Sequence, residues 1–188
     1  MSGGRVLVVS GPSGCGKSTL CKRLLQDERV RFSVSATTRP MRTGEVDGRD
    51  YHFLDVPSFR ERIEAGDFIE WAEVHGNLYG TLSAPLEEVV AAGKVYLIEI
   101  DVQGALQLRG LGVEGVYVFI APPSLETLRE RLVGRGTDAP DVIERRLKKA
   151  ADEMNEAHRY DRVIVNDDLD TAFAELVDAA GLADGARA

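Results

Sequence analysis

Apolar residues along this chain follow two alternating rhythms. Compact, nearly unbroken apolar runs occupy Arg5–Ser10, Val95–Ile100, Val116–Ala121 and Arg162–Asn166, the pattern of strands buried on both faces. Between them, apolar positions recur at helical spacing. Leu20, Leu24 and Leu25 predict a helix to about Gln26, and Leu125, Leu128 and Leu132 predict a second behind Ser124, a suitable N-cap, with Gly134-Arg135-Gly136 as its break. A long helix is expected from about Asp141 to Arg159 and a final one from Leu169 to about Ala179.

The middle of the chain keeps a different time. Phe32–Ser35 alternates and reads as a strand, then Thr37–Asp50 loses all periodicity and collects Arg39, Pro40, Arg42, Gly44, Gly48 and Arg49, the composition of a loop. A short helix near Ser58–Ala65 follows, then a half-exposed strand at Phe68–Val74, a turn at Gly76-Asn77, extended chain at Leu78–Leu82 and a helix opened by Pro85 and ended by Gly93. Strands alternating with helices predict an α/β architecture with a mostly parallel sheet flanked by helices. Residues 36–92 fall outside that rhythm and read as an inserted subdomain, and residues 1–4 and 181–188 as loose ends.

Composition narrows the classes. A chain of 188 residues, 44% hydrophobic and 29% charged, suits one globular domain with insertions. Its net charge of −8 argues against a general nucleic-acid binder, so any anionic ligand needs a local positive site. No apolar run is long enough to span a bilayer and no leader precedes the first strand, so the expectation is a cytoplasmic protein with neither nucleic-acid nor membrane partners. Cys15 and Cys21 are the only cysteines, and Cys15 reads as a small filler.

The chemistry begins at Gly11–Ser18, GPSGCGKS, which fits G-x-x-x-x-G-K-[ST] and lies between the first strand and the first helix, the context this phosphate-binding loop requires. Gly11, Gly14 and Gly16 let backbone N–H groups converge on phosphate oxygens, and the helix N-terminus adds its field. Lys17 would place a point charge on the β- and γ-phosphates, and the hydroxyl of Ser18 or Thr19 suits a hard cation such as Mg²⁺. Such a loop implies a nucleoside triphosphate and says little about the acceptor. Arg39 and Arg42, on either side of Pro40, can grip an anion in fork geometry or stand as a solvated surface pair. Tyr51 and Tyr79 are either phosphate donors or packing residues. Glu70, beside Trp71, either reads a base offering two adjacent donors, as guanine does, or faces water.

Taken together these pieces resemble the guanylate kinase family over nearly the whole chain, from Val6 to Asp168. GPSGCGKS, SVSATTRPMRTGEVDGRDYHF, FIEWAEVHGNLYGT, EIDVQGA, IAPPS, RLVGRGTD and VIVNDD are similar to that family's blocks, in order and at its spacing. The resemblance implies a P-loop NTPase fold with a core of 1–35, 93–125 and 160–188, a mixed α/β GMP-binding subdomain at 36–92 and a helical lid at 126–159. It implies phosphoryl transfer from MgATP to GMP and dGMP. It further implies that Gly11, Pro12, Ser13, Gly14, Cys15, Gly16, Lys17, Ser18 and Thr19 bind ATP, with Asn166 near the adenine and Arg131, Arg135 and Arg146 reaching across the phosphates. Arg39, Arg42, Tyr51 and Tyr79 would hold the GMP phosphate, with Glu45 orienting the arginines; Glu70, Ser35 and Thr81 would read guanine. Glu99 and Asp101 would lie at the GMP site, with Ser18 and Asp101 near Mg²⁺. Lys17, Arg39, Arg131, Arg135 and Arg146 would carry the catalysis. A binding module that has lost catalysis, and a kinase acting on a ribose bisphosphate, are the rivals; the first conflicts with the intact Lys17, Ser18, Arg39 and Arg42, the second has no use for Glu70 and Thr81. Whether the chain is a monomer or a homo-oligomer is left open.

Overall fold

The computed structural model describes residues 3–74, 76–134, 136 and 139–183. Five parallel strands form the central sheet in the order β2-β7-β1-β8-β9: β1 is Arg5–Ser10, β2 Val30–Phe32, β7 Val95–Glu99, β8 Val116–Ala121 and β9 Arg162–Val165. Period-two alternation explains why β1 and its neighbours are apolar without a break. Leu7, Val9, Leu97, Val118 and Ile120 pack on one face with helices α1 (Lys17–Leu24) and α7 (Leu169–Ala179). Val6, Val8, Tyr96, Ile98 and Tyr117 pack on the other with α3 (Ala84–Ala91) and α4 (Val102–Gly110).

A second, four-stranded sheet holds β3 (Ala36–Thr37), β4 (His52–Phe53), β5 (Phe68–Val74) and β6 (Asn77–Leu82) in the order β4-β3-β6-β5. It is mixed: β3 pairs β4 in parallel and β6 in antiparallel sense. Helix α2 (Val56–Ala65) lies between β4 and β5 in sequence, capped by Asp55, whose carboxylate accepts from the Ser58 N–H, and stopped by Gly66 at φ 75°. Helices α5 (Leu125–Gly134) and α6 (Pro140–Asn155) make a pair with its own small core of Leu128, Leu132, Ile143, Leu147 and Ala150. A 3₁₀ turn at Ala157–Arg159 leads back to β9. Among the described residues no helix is long and apolar enough to cross a membrane.

Several elements differ from the pattern-based expectation. The strand expected at 32–35 lies at Val30–Phe32, because pairing with β7 brings Val30 opposite Val95 and ends the ladder at Phe32–Leu97. The 37–50 loop is framed by the two-residue strands β3 and β4, too short to leave a periodic trace. Helix α4 has no pattern to announce it. Gly104 interrupts its apolar face, and a Cβ there would lie 2.4 Å from Ile100 Cδ1, so a larger residue would need the end of the Ile100 side chain to move. The long helix ends at Asn155, four residues short of Arg159. Helix α3, within the 36–92 segment, packs on β7 and β1 of the central sheet. The expected break at Gly134-Arg135-Gly136 and the loose ends fall partly on residues 1, 2, 135 and 184–188, outside the described residues.

Candidate active site

The phosphate loop leaves β1 after Ser10 and enters α1 at Lys17. Gly11 and Gly16 need to be glycine on two counts. Both have positive φ, 139° and 98°, and a Cβ would lie 2.2 Å from the Ile120 carbonyl oxygen or from the Asn166 amide nitrogen respectively. Gly14 (φ 94°) sits against Leu128 and Leu132 of α5, so the loop touches the α5–α6 pair directly. Helix α1 starts with no side-chain cap, which leaves its N-terminal field for an anion. Lys17 Nζ donates to the Gly11 carbonyl at 2.6 Å and to the Pro12 carbonyl at 2.9 Å, parked on its own loop. Ser13, Ser18 and Thr19 are exposed on the rim. Cys15 is fully buried and burial pushes its thiol up, the state of an inert filler.

Across from this loop, Arg39 is held by Glu45 in a bidentate pair, Nη2–Oε1 at 2.8 Å and Nη1–Oε2 at 3.1 Å, and lies over the rings of Tyr51 and Phe53 at 5.5 and 5.7 Å. Glu45 also accepts from the Arg42 backbone N–H at 2.7 Å, so one carboxylate orders the whole 39–45 turn. The Arg39 guanidinium holds that carboxyl below the usual range. The Arg42 side chain is exposed. Tyr51 and Tyr79 meet edge to face at 6.0 Å. Ser35 is half-buried, its carbonyl accepting from the His52 N–H at 2.9 Å.

Glu70 resolves the alternative left open by the sequence. It is 5% exposed, whereas Trp71 beside it is 42% exposed, so the charged residue points inward and the aromatic one outward. A register shift between Phe68 and Glu70 marks a bulge in β5, a device that re-aims side chains. Thr81, opposite Glu70 on β6 and fully buried, donates its hydroxyl to Glu70 Oε1 at 2.6 Å. Burial raises the Glu70 carboxyl above its ordinary range, the Thr81 hydrogen bond offsets part of that, and the charge of Asp101 adds to it.

Glu99 and Asp101, at the carboxyl edge of β7, join the two halves. Ser18 Oγ donates to Glu99 Oε1 at 2.6 Å, and the Glu99 charge also acts on Tyr51. Asp101 caps α4 by accepting the Gly104 N–H at 2.8 Å and acts electrostatically on Glu70. Ser18 Oγ touches the Glu99 carboxylate, while Asp101, expected with Ser18 near a cation, accepts the Gly104 N–H through Oδ1 at the start of α4. The Ser18 hydroxyl and Glu99 carboxylate are hard oxygen donors and fit Mg²⁺. Among the described residues no group of three His, Cys, Asp or Glu could hold a metal. A cation that keeps waters and takes phosphate oxygens needs few protein ligands, so this sparse set suits Mg²⁺.

From the α5–α6 pair, Arg131 Nη2 donates to the Asn166 carbonyl at 2.9 Å, and Arg146 is half-buried on α6. Arg135 lies outside the described residues. Asn166, expected near an adenine, is buried and its amide donates to the Cys15 carbonyl at 2.8 Å, bracing the phosphate loop from behind. Sequence reasoning missed that brace, and also Gln107, whose amide donates to the Trp71 carbonyl at 3.2 Å and ties α4 to β5.

Comparison with known proteins fits this geometry. A family profile described as Guanylate kinase matches residues 3–181. The chain is 50% identical over 188 residues to the guanylate kinase of Dechloromonas aromatica, covering 98% of this chain and 93% of that one. It is 54% identical to that of Nitratidesulfovibrio vulgaris over 174 residues, 92% of this chain and 84% of the other. The crystal structure of guanylate kinase from Anaplasma phagocytophilum superposes with a TM-score of 0.77 at 39% identity, covering 96% of this chain and 86% of that chain.

Proposed function

The chain belongs to the guanylate kinase family, and from that premise we propose how its residues divide the transfer of a phosphoryl group between two nucleotides. It is an ATP:GMP phosphotransferase of the P-loop NTPase fold, making ADP and GDP. The observation that carries the residue assignment is the inward-facing Glu70–Thr81 pair opposite a phosphate loop. Guanine presents N1–H and an exocyclic amine side by side, which the two oxygens of Glu70 can accept; adenine presents an acceptor at N1 and would be repelled. The Ser35 hydroxyl serves O6, and the Thr81 hydroxyl, which donates to Glu70 in the free site, reaches O6 only by turning its proton from Glu70 to the base. Arg39, Arg42, Tyr51 and Tyr79 grip the GMP phosphate, and Glu45 supports this by fixing Arg39 before the ligand arrives, which lowers the ordering cost.

The attacking group is an oxygen of the GMP phosphate, an anion near neutral pH, so no strong base is required and catalysis is positioning and charge stabilisation. Lys17 leaves the Gly11 and Pro12 carbonyls for the β- and γ-phosphates, and Arg131, Arg135 and Arg146 neutralise charge on the transferring group. Asn166 and Arg131 keep the loop and α5 in register while this happens. Mg²⁺, when bound, would shield the phosphate charges, held through Ser18 and Glu99 with Asp101 nearby. We take residues 36–92 as the GMP-binding subdomain and 126–159 as the lid, with the cytoplasm as the site of action. The separate core of α5 and α6 supports the lid. Helix α3 is the part of 36–92 that stays with the central sheet. Because these roles fall on base and phosphate, dGMP is a second acceptor. In one coupled assay of ADP release, dGMP should turn over within about tenfold of GMP, and chelating Mg²⁺ should abolish both rates. Rejection of dGMP would require a 2′-hydroxyl contact that these roles lack.

A further inference from the structure

Strand β5 is the edge of the second sheet, and consecutive residues in it are tied to different parts of the molecule. The bulge between Phe68 and Glu70 leaves Ile69 without a register partner on β6, and Ile69 packs instead against the core of Val6, Val8, Tyr96 and Ile98 on the central sheet. Glu70 turns inward to Thr81. The Trp71 carbonyl then accepts from the Gln107 amide of α4 at 3.2 Å. Helix α4 is itself fixed. Ala105 and Leu108 are buried in the same core as Ile69 packs on, and Asp101 caps the first turn by accepting the Gly104 N–H at 2.8 Å. Gln107 therefore stands on an element held by the central sheet and reaches across to the strand that carries the base-reading carboxylate. Glu70 needs such support. An ionised carboxylate buried this deeply gains by rolling toward water, and the charge of Asp101 pushes it the same way. Ile69 on one side and the Trp71 carbonyl on the other oppose that roll of β5.

We propose that Gln107 is a positioning residue for guanine recognition: its hydrogen bond to the Trp71 carbonyl fixes the strand on which Glu70 stands, and so sets the angle at which the two carboxylate oxygens meet the base. This deepens the base-reading role given to Glu70 above and rests on it. A bidentate contact is sensitive to angle, since both oxygens must meet both donors at once, whereas a single contact can follow a shifted strand. Loss of the Gln107 donor therefore weakens GMP more than inosine monophosphate, which presents the same N1–H but has a hydrogen where guanine carries its exocyclic amine. ATP, held at the phosphate loop, does not sense the change. A bond that merely held the fold together would, when lost, weaken all three alike.

The test is steady-state kinetics of the full chain with GMP and with inosine monophosphate, for the wild type, Gln107→Met, Glu70→Gln and the double variant. Methionine keeps the length and helix propensity of glutamine without its donor. Gln107→Met should lower kcat/KM about tenfold for GMP, through KM, and less than about threefold for inosine monophosphate, with KM for ATP within about twofold. In the Glu70→Gln background the same change should cost GMP less than about twofold. Unchanged kinetics in Gln107→Met, equal losses with the two acceptors, or a full tenfold loss on top of Glu70→Gln overturns the proposal. Gln107→Ala, which removes the donor by shortening the side chain, should show the same split; if neither variant melts cooperatively, Gln107 is a structural residue and the proposal is wrong. Should Glu70→Gln keep the wild-type preference for GMP over inosine monophosphate, the base-reading role itself fails and this inference falls with it.

Discussion

Glu70→Gln is expected to raise KM for GMP by about a hundredfold or more while leaving KM for ATP within about threefold. The amide replaces one of two acceptor oxygens with a donor, and that donor meets a guanine N–H in a site where neither can turn to water. Losing a hydrogen bond to a charged acceptor and leaving a buried donor unpaired are together worth roughly 2–4 kcal/mol. The same substitution should raise the melting temperature of the ligand-free protein at neutral pH. Burial lifts the folded-state pKa of Glu70 above its unfolded value. Such a group favours the folded state fully below the unfolded pKa, and that advantage is lost as pH rises through the folded pKa, so at neutral pH the ionised carboxylate is a cost. Gln removes the charge and keeps an acceptor for the Thr81 hydroxyl. Weaker substrate binding in a more stable protein is the signature of a residue kept for function. Thermal melts of the free variant beside steady-state kinetics with each nucleotide check both halves; a variant that melts lower and loses both affinities alike would make Glu70 a structural residue.

Lys17→Ala is expected to lower kcat/KM by about a thousandfold or more with little change in melting temperature. Its ammonium contacts the carbonyls of Gly11 and Pro12 at a part-buried site, and losing those two bonds costs about 1–2 kcal/mol, small beside the lost catalysis. Single-turnover kinetics together with a melt separate lost chemistry from lost folding, and retained turnover would remove Lys17 from the mechanism.

How much of this was legible beforehand depends on the range of the interaction. The phosphate loop is a local device, and the glycines, the lysine and the flanking strand and helix announce it in one short stretch. The central strands were legible because burial on both faces leaves unbroken apolar runs. Glu70 was not, because alternation in Phe68–Val74 says that two faces differ without saying which is inside; the bulge and the Thr81 partner, eleven positions away, decide it. Helix α4 was hidden because Gly104, packed close under the Ile100 side chain, breaks the apolar face that would have betrayed the helix. Asn166 carries no local signal either; it is tied to Cys15 across 151 positions. The same holds for the contact of Ser18 with Glu99, 81 positions apart.

The most direct measurement of the central claim is ADP release from MgATP with GMP, AMP, CMP, UMP and ribose 1,5-bisphosphate as separate acceptors. The account predicts turnover with GMP at about 1–100 per second. It predicts a specificity ratio over AMP of about 10⁴ or more, because Glu70 and Thr81 form a site built to hydrogen-bond its base. Comparable rates with AMP, or a folded protein that turns over none of these acceptors, would contradict it.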